Sequence, residues 1–297
     1  MANKSRLDIA KKDIEKTMSN QGVLVFNRKY ISQILKENRE YWRLAMNTNL
    51  SGFIAYLCEK SKLKEVRFEF PHRSVIGYTW GEVDIMLVLM NLIDDSFYSH
   101  YTAMRIHGLT EQIPKTIYIS VEKNLPTQNL VKLSQEAIDS AFQKQPRVTQ
   151  NIVELPNSEG RIAFLQSAYH EKMGIEGMRI VTTTPEGVLI RCTNLERTMI
   201  DIAIRPFYAG GVAEVMKAFE NAKGLLKVNK MSAMLKKMKF LYPYHQVIGY
   251  YLEKAGYKST LVDIFRDQPM DYDFYLAHGM THTTYCQEWR LFVPQGF

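Results

Sequence analysis

The 297-residue chain has only three cysteines, Cys58, Cys192 and Cys286, widely spaced and odd in number. A disulfide framework and a zinc module built on paired cysteines are both excluded. Proline is absent before Pro71, although ten follow from there, so the first seventy or so residues are open to helices. Long apolar runs are missing too. The strongest, 85–93, is nine residues fenced by Glu82, Asp84, Asp94 and Asp95, about half of what a bilayer span needs. The opening residues, MANKSRLDIAKKDIEK, are too charged for the apolar stretch of a secretory signal. A soluble, cytoplasmic protein with no membrane partner is expected.

Catalytic signatures are also lacking. No lysine has Asp or Glu two positions upstream, as the metal site of a restriction-type nuclease requires. Neither GxxxxGKS/T nor GxGxxG occurs, so no phosphate loop or dinucleotide turn is encoded. Asp271 and Asp273 form a DxD, but there is no Gly-Ser dipeptide to open a nucleotidyltransferase site. His100 and His107 stand seven apart with no third ligand nearby, and His278 and His282 stand four apart where Gly279 and threonine-rich surroundings disfavour a helix. Catalytic residues, metal and cofactor are therefore all read as none, and the chain as a non-enzyme.

What is present is ordinary globular composition, 46% hydrophobic and 23% charged, in a length that suits one large domain or two ordinary ones. The net charge of +7 is unevenly placed. Residues 1–80 hold 15 Lys/Arg against 8 Asp/Glu, and 81–297 hold 23 against 23. A basic module that meets a polyanion, joined to a neutral body, is the natural inference.

Within the basic part, 4–18 reads as a weakly amphipathic helix carrying Leu7, Ile9, Ile14 and Met18. Asn27 caps a second helix with Ile31, Ile34 and Leu35 on one face, and 39–46 reads as a short further helix with Trp42. A third helix follows Thr48, with Leu50, Phe53, Ile54 and Leu57 inward. Thr48, Asn49, Ser51, Tyr56 and Lys60 lie off that stripe, free for contacts. The period then becomes two: Val66, Phe68 and Phe70 alternate with charges, PHRS turns, and VIGYTWG returns. Helices followed by a basic-tipped hairpin describe a winged helix-turn-helix over 1–84, with 82–92 a closing helix.

In such a module a helix enters the DNA major groove and a hairpin lies along the backbone. Asn49 and Ser51 are the types that read base edges. Arg28, Lys29, Arg67, His72 and Arg73 are placed to meet phosphate.

The body, 85–297, alternates types and completes an α+β chain. Helices are expected after Ser99 to His107-Gly108, over 130–143, after Asn194, and over 212–222, 230–239 and 244–255. Strands are expected near 115–120, 161–166, 178–182 and 188–191. Ser99 and Asn194 serve as caps, Gly108 as a left-handed exit, and Glu196, Arg197, Asp201 and Arg205 as intrahelical partners. The last 58 residues hold 14 of the 34 aromatics. Lys227, Lys230, Lys236, Lys237 and Lys239, followed by Tyr242, Tyr244 and His245, form a second patch able to bind an anionic partner by charge and stacking.

Three strings in this body, SHYTAMRIHGL (99–109), NLERTMIDIAIRPFYAGG (194–211) and YPYHQVIGYYLEKAGY (242–257), resemble the AbiEi family. Its members are antitoxins and transcriptional regulators of type IV toxin–antitoxin loci, which act in abortive infection, a form of phage defence. The resemblance implies an N-terminal winged helix that binds the operon's own promoter at inverted repeats, and a C-terminal antitoxin domain. It also implies a neighbouring AbiEii-type nucleotidyltransferase toxin, counteracted without a necessary stable complex. The competing expectation is an enzyme, either a degenerate nuclease-like body or an activity that modifies the toxin.

Overall fold

The computed structural model describes residues 5–124, 133–155, 160–180 and 187–297 and is a mixed α+β fold. It separates into two units: Met1–Asp94 with Arg179–Ile190, and Asp95–Met178 with Arg191–Phe297.

In the first unit Ser5 and Asp8 form a reciprocal capping box that starts α1 (Arg6–Ser19). Ala10, Ile14 and Met18, four residues apart, are its buried stripe. Ile9, expected among the apolar positions, is 70% exposed because it falls off that stripe; Lys4, the expected start, lies outside the described residues. After β1 (Val25–Phe26), Asn27 accepts from the Tyr30 amide at 2.8 Å and starts α2 (Arg28–Asn38), with Ile31, Ile34 and Leu35 inward.

The helix expected over 39–46 is absent. Instead the Arg39 guanidinium donates to the carbonyls of Ala45 and Thr48 at 2.6 and 2.8 Å, and Arg43 turns left-handed, so the segment folds as successive turns. Trp42 is buried nonetheless, stacked on Phe53 at 5.7 Å. Next come α3 (Leu50–Lys60) and the hairpin of β2 (Leu63–Phe70) and β3 (Arg73–Trp80), paired from Leu63↔Trp80 to Phe70↔Arg73. The tip is Pro71 and His72 alone, since Arg73 and Ser74 join the strand.

Strand β1 pairs antiparallel with β3, giving the sheet order β1-β3-β2. Helix α4 (Ile85–Leu92) then lays Leu92 on Gly77, where a Cβ would meet its Cδ2 at 2.3 Å. This contact carries the first unit past the boundary expected after residue 84.

The chain continues with β4 (Phe97–Tyr98), α5 (His100–Ile106), β5 (Thr116–Glu122), α6 (Gln135–Phe142), β6 (Ile152–Glu154), β7 (Arg161–Ser167), β8 (Ile175–Ile180) and β9 (Val188–Thr193), all of the second unit except Arg179–Ile180 of β8 and Val188–Ile190 of β9. The six-stranded sheet of these strands has the order β6-β7-β5-β4-β9-β8, with β5 parallel to β7 and β4 parallel to β9. Helix α6 begins at Gln135, capped by Ser134; positions 130–132 and 181–182, expected in a helix and a strand, lie outside the described residues.

Asn194 caps α7 (Leu195–Ile204) as expected, and α8 (Val212–Asn221), α9 (Val228–Met238), α10 (Tyr244–Lys254) and α11 (Ser259–Arg266) follow. A small sheet of β10 (Phe274–Tyr275), β11 (Thr283–Cys286) and β12 (Leu291–Pro294) closes the chain. The core joins α7–α11 to the C-terminal aromatics: Phe219, Tyr251, Phe265, Phe274 and Trp289 are fully buried. Helix α5 leaves its left-handed exit to Gly108, as read. Ser99 makes no side-chain cap; its hydroxyl bonds Ser120 Oγ at 2.6 Å and His100 Nδ1 at 2.8 Å.

Candidate nucleic-acid interface

The exposed side of α2 is the complement of its buried stripe: Arg28, Lys29, Ser32, Gln33 and Lys36 recur where Ile31, Ile34 and Leu35 do not. With Leu50 of α3 they line a shallow groove of about 510 Å³. Three of these residues are cations and none is an acid. Arg28 reaches across to α3, its Nη2 2.7 Å from Ser51 Oγ. Neither α2 nor α3 has an acidic residue in its first turn, so the positive ends of both helix dipoles stay uncompensated by carboxylates. Gln33 Nε2 donates to the exposed Glu37 carboxylate at 2.8 Å, just outside the lining; the cations and two helix N-termini of the acid-free lining are the chemistry that holds phosphate.

The structure distributes the expected contact residues unevenly. Arg28 and Lys29 lie in the groove and Ser51 at its edge. Asn49 is not wholly free: its Oδ1 accepts from the Gly52 amide at 2.7 Å and caps α3, leaving only Nδ2 to donate. Thr48 is half-buried, its carbonyl held by Arg39. Tyr56 is tied down, its hydroxyl donating to Asp8 at 2.9 Å, and burial followed by that bond pushes its pKa up to about 12. Lys60 pairs with Glu59 at 2.7 Å.

On the hairpin, Arg67 sits between Glu65 and Glu69, 3.2 Å from each, which screens it from phosphate. His72 at the tip and Arg73 at the start of β3 are exposed. Ser32, Gln33 and Lys36 went unread; extending the buried period of α2 outward finds them.

In the second unit the five-lysine patch is not one surface. Lys230 pairs with Glu196 at 3.0 Å and lies 3.9 Å from Glu176, while the Lys227 amide donates to Glu196. Lys236, Lys237 and Lys239 are exposed at the end of α9. Lys237 and Lys239 edge a large cleft of about 1560 Å³, reached also by Lys144, Arg147 and Arg205.

Of the four charged residues expected to pair within α7, Arg197 and Asp201 do so, at 2.8 Å. Glu196 turns instead to Lys230 on α9. Arg197 is buried, and its Nη1 donates to the Met173 carbonyl at 2.8 Å and lies 3.6 Å from Glu122.

Of the four histidines in the candidate metal pairs, His282 is exposed and the other three have structural partners. His278 stacks on Phe142 at 4.0 Å, and His107 Nε2 is bonded to the Thr193 carbonyl at 2.7 Å. His100 is buried edge-on to Tyr208. Asp273 accepts from Tyr285 and pairs with Arg290 at 2.8 Å. Among the described residues no group of three or more His, Cys, Asp or Glu is arranged to hold a metal, and no helix is long and apolar enough to cross a membrane.

No family model and no curated protein matches the chain. Among solved structures, that of the RV2827C protein from Mycobacterium tuberculosis is similar, with a TM-score of 0.60 over 97% of this chain and 92% of that one. The identity is 12%, so the likeness is one of fold.

Proposed function

We propose that this protein is a DNA-binding transcriptional autorepressor and the antitoxin of a type IV toxin–antitoxin locus, acting in the cytoplasm through an N-terminal winged helix-turn-helix. The observation that carries it is the acid-free groove of Arg28, Lys29, Ser32, Gln33, Lys36 and Leu50 between two uncompensated helix N-termini. Helix α3 enters the major groove with Ser51 and the Asn49 amide foremost, and Arg28, Lys29 and Lys36 grip the flanking phosphates. The hairpin, with His72 at its tip and Arg73 at the start of β3, follows the backbone on the other side. The promoter as target and the nucleotidyltransferase toxin as counterpart rest on the resemblance of the three strings to AbiEi proteins.

Fluorescence anisotropy of the full-length protein on its own upstream region tests the DNA-binding part. Three to four phosphate contacts give a log–log salt slope of about −3 to −4. Replacing Arg28, Lys29 and Lys36 by alanine lowers affinity for promoter and random duplex alike. A salt-independent titration refutes the proposal. For the antitoxin part, growth is measured with the neighbouring nucleotidyltransferase gene expressed alone and with this one; no rescue refutes it.

A further inference from the structure

We infer that the cleft of the second unit is a binding site for a nucleotide carrying more than one phosphate, a ligand distinct from the duplex assigned to the first unit. Five cations reach it, Lys144 from the end of α6, Arg147 from the loop before β6, Arg205 from the end of α7, and Lys237 and Lys239 from the end of α9; Glu171 is the one carboxylate in the lining. The surplus of four positive charges on this lining exceeds the surplus of the whole unit, which holds 22 Lys/Arg against 19 Asp/Glu. Among the described residues Arg147, Arg205, Lys237 and Lys239 have no ion pair and no side-chain hydrogen bond. Lys144 has only a long bond of 3.4 Å to Ser140 Oγ.

Concave placement of unpaired cations focuses field lines onto a ligand with several negative charges. Aromatic rings interleave with them: Tyr169, Phe207, Phe240 and Tyr242 line the same space, and offer faces on which a base can stack. A bare polyphosphate would use the cations and leave the rings idle. A nucleotide uses both.

The walls are built rather than loose. Glu171 and Lys172 both adopt left-handed backbone at φ 55° and 53°, a conformation that persists in such residues only where surroundings impose it. Here the buried Glu122 carboxylate accepts from the amides of His170 and Lys172 at 3.2 and 2.9 Å, and Arg197 holds the Met173 carbonyl. Opposite, the Thr149 amide donates to Tyr208 Oη at 2.7 Å, fixing the segment that bears Arg147. His170 packs on Phe240 at 5.2 Å; burial lowers its pKa, so it adds a neutral ring to this wall.

Calorimetric titration of the full-length protein with ATP, GTP, tripolyphosphate and adenosine tests the site. A nucleoside triphosphate binds with micromolar Kd, tripolyphosphate at least tenfold more weakly, and adenosine not detectably. The double variant Arg147→Glu and Lys237→Glu, both exposed, loses at least tenfold in nucleotide affinity with an unchanged melting temperature and unchanged promoter binding. No binding of either nucleotide at millimolar concentration overturns the inference. So does binding that the double variant leaves intact, or tripolyphosphate binding as tightly as the nucleotides. Because promoter affinity is read in parallel, failure here is distinguishable from failure of the DNA-binding proposal.

Discussion

Asn49 shows how one side chain constrains two roles. Its carbonyl oxygen caps α3, so a bidentate reading of adenine, which needs oxygen and amide together, is closed to it. Replacing Asn49 by alanine is expected to cost about 1 kcal/mol of stability through the lost cap, measured by urea unfolding. Asn49→Asp keeps the cap and the stability but sets a carboxylate beside the groove, so DNA affinity should fall in anisotropy while the unfolding midpoint holds. The sequence made Asn49 a polar residue at the start of a helix; it did not tell capping from reading, since both use the same residue types at the same place.

His100 gives a pH prediction. Burial holds its pKa down at about 4, against 6.5 for the free side chain, with Arg205 and Arg197 assisting and Asp201 opposing. Below about pH 6.5 the unfolded chain takes up a proton that the folded chain refuses. Stability is therefore complete above that pH and is lost as pH falls through about 4, by an amount on the order of 3 kcal/mol. The variant His100→Asn suits the left-handed backbone there, φ 51°, and should flatten part of the acid limb in denaturant midpoints taken from pH 7 to 4. A limb as steep as the wild type's would show that His100 titrates normally.

At the scale of elements, long helices were legible and short strands were not. Helices α2, α3, α7 and α10 announce themselves by three or four apolar residues at helical spacing and, in the first three, an asparagine cap. Strands β1, β4 and β10 are two residues each, too short to show any period. The segment 39–46 misled because its spacing suits a helix, while Arg43 takes left-handed backbone and the Arg39 side chain ties the carbonyls of Ala45 and Thr48 into turns.

Helix α1 was legible as a helix and opaque in purpose. Its Asp8, Glu15 and Ser19 bond Tyr56, Ser61 and Trp80, so it is a wall of the first unit's core rather than an arm. Ile14→Ala should cost about 2–5 kcal/mol, seen as a lowered urea midpoint. In the third string, Gly249 lies under Trp289, where a Cβ would come within 2.1 Å of the indole. Gly249→Ala should destabilise by about 1–3 kcal/mol through overpacking, despite alanine's better helix propensity; a stabilised variant would contradict the packing.

For the whole molecule, the charge asymmetry read along the chain is softened by the fold. The first unit takes in Glu82, Asp84 and Asp94 and holds 16 Lys/Arg against 12 Asp/Glu. The excess is thus shared between the units, and within each it gathers at a concavity. No count along a linear sequence reveals this, because the cleft cations come from segments between residues 144 and 239.

The first unit is also discontinuous: Arg179–Ile190 belongs with Met1–Asp94. During synthesis, the ribosome must add the 96 residues from 95 to 190 before the last piece exists. At 5–20 residues per second that is a wait of roughly 5–20 s. Arrested nascent chains exposing residues 1–94 should therefore be cleaved by protease faster within that segment than chains exposing residues 1–190. An N-terminal third that must wait for its missing part is exposed to chaperones and proteases in every round of translation, so the supply of finished protein is set partly by how the chain is threaded.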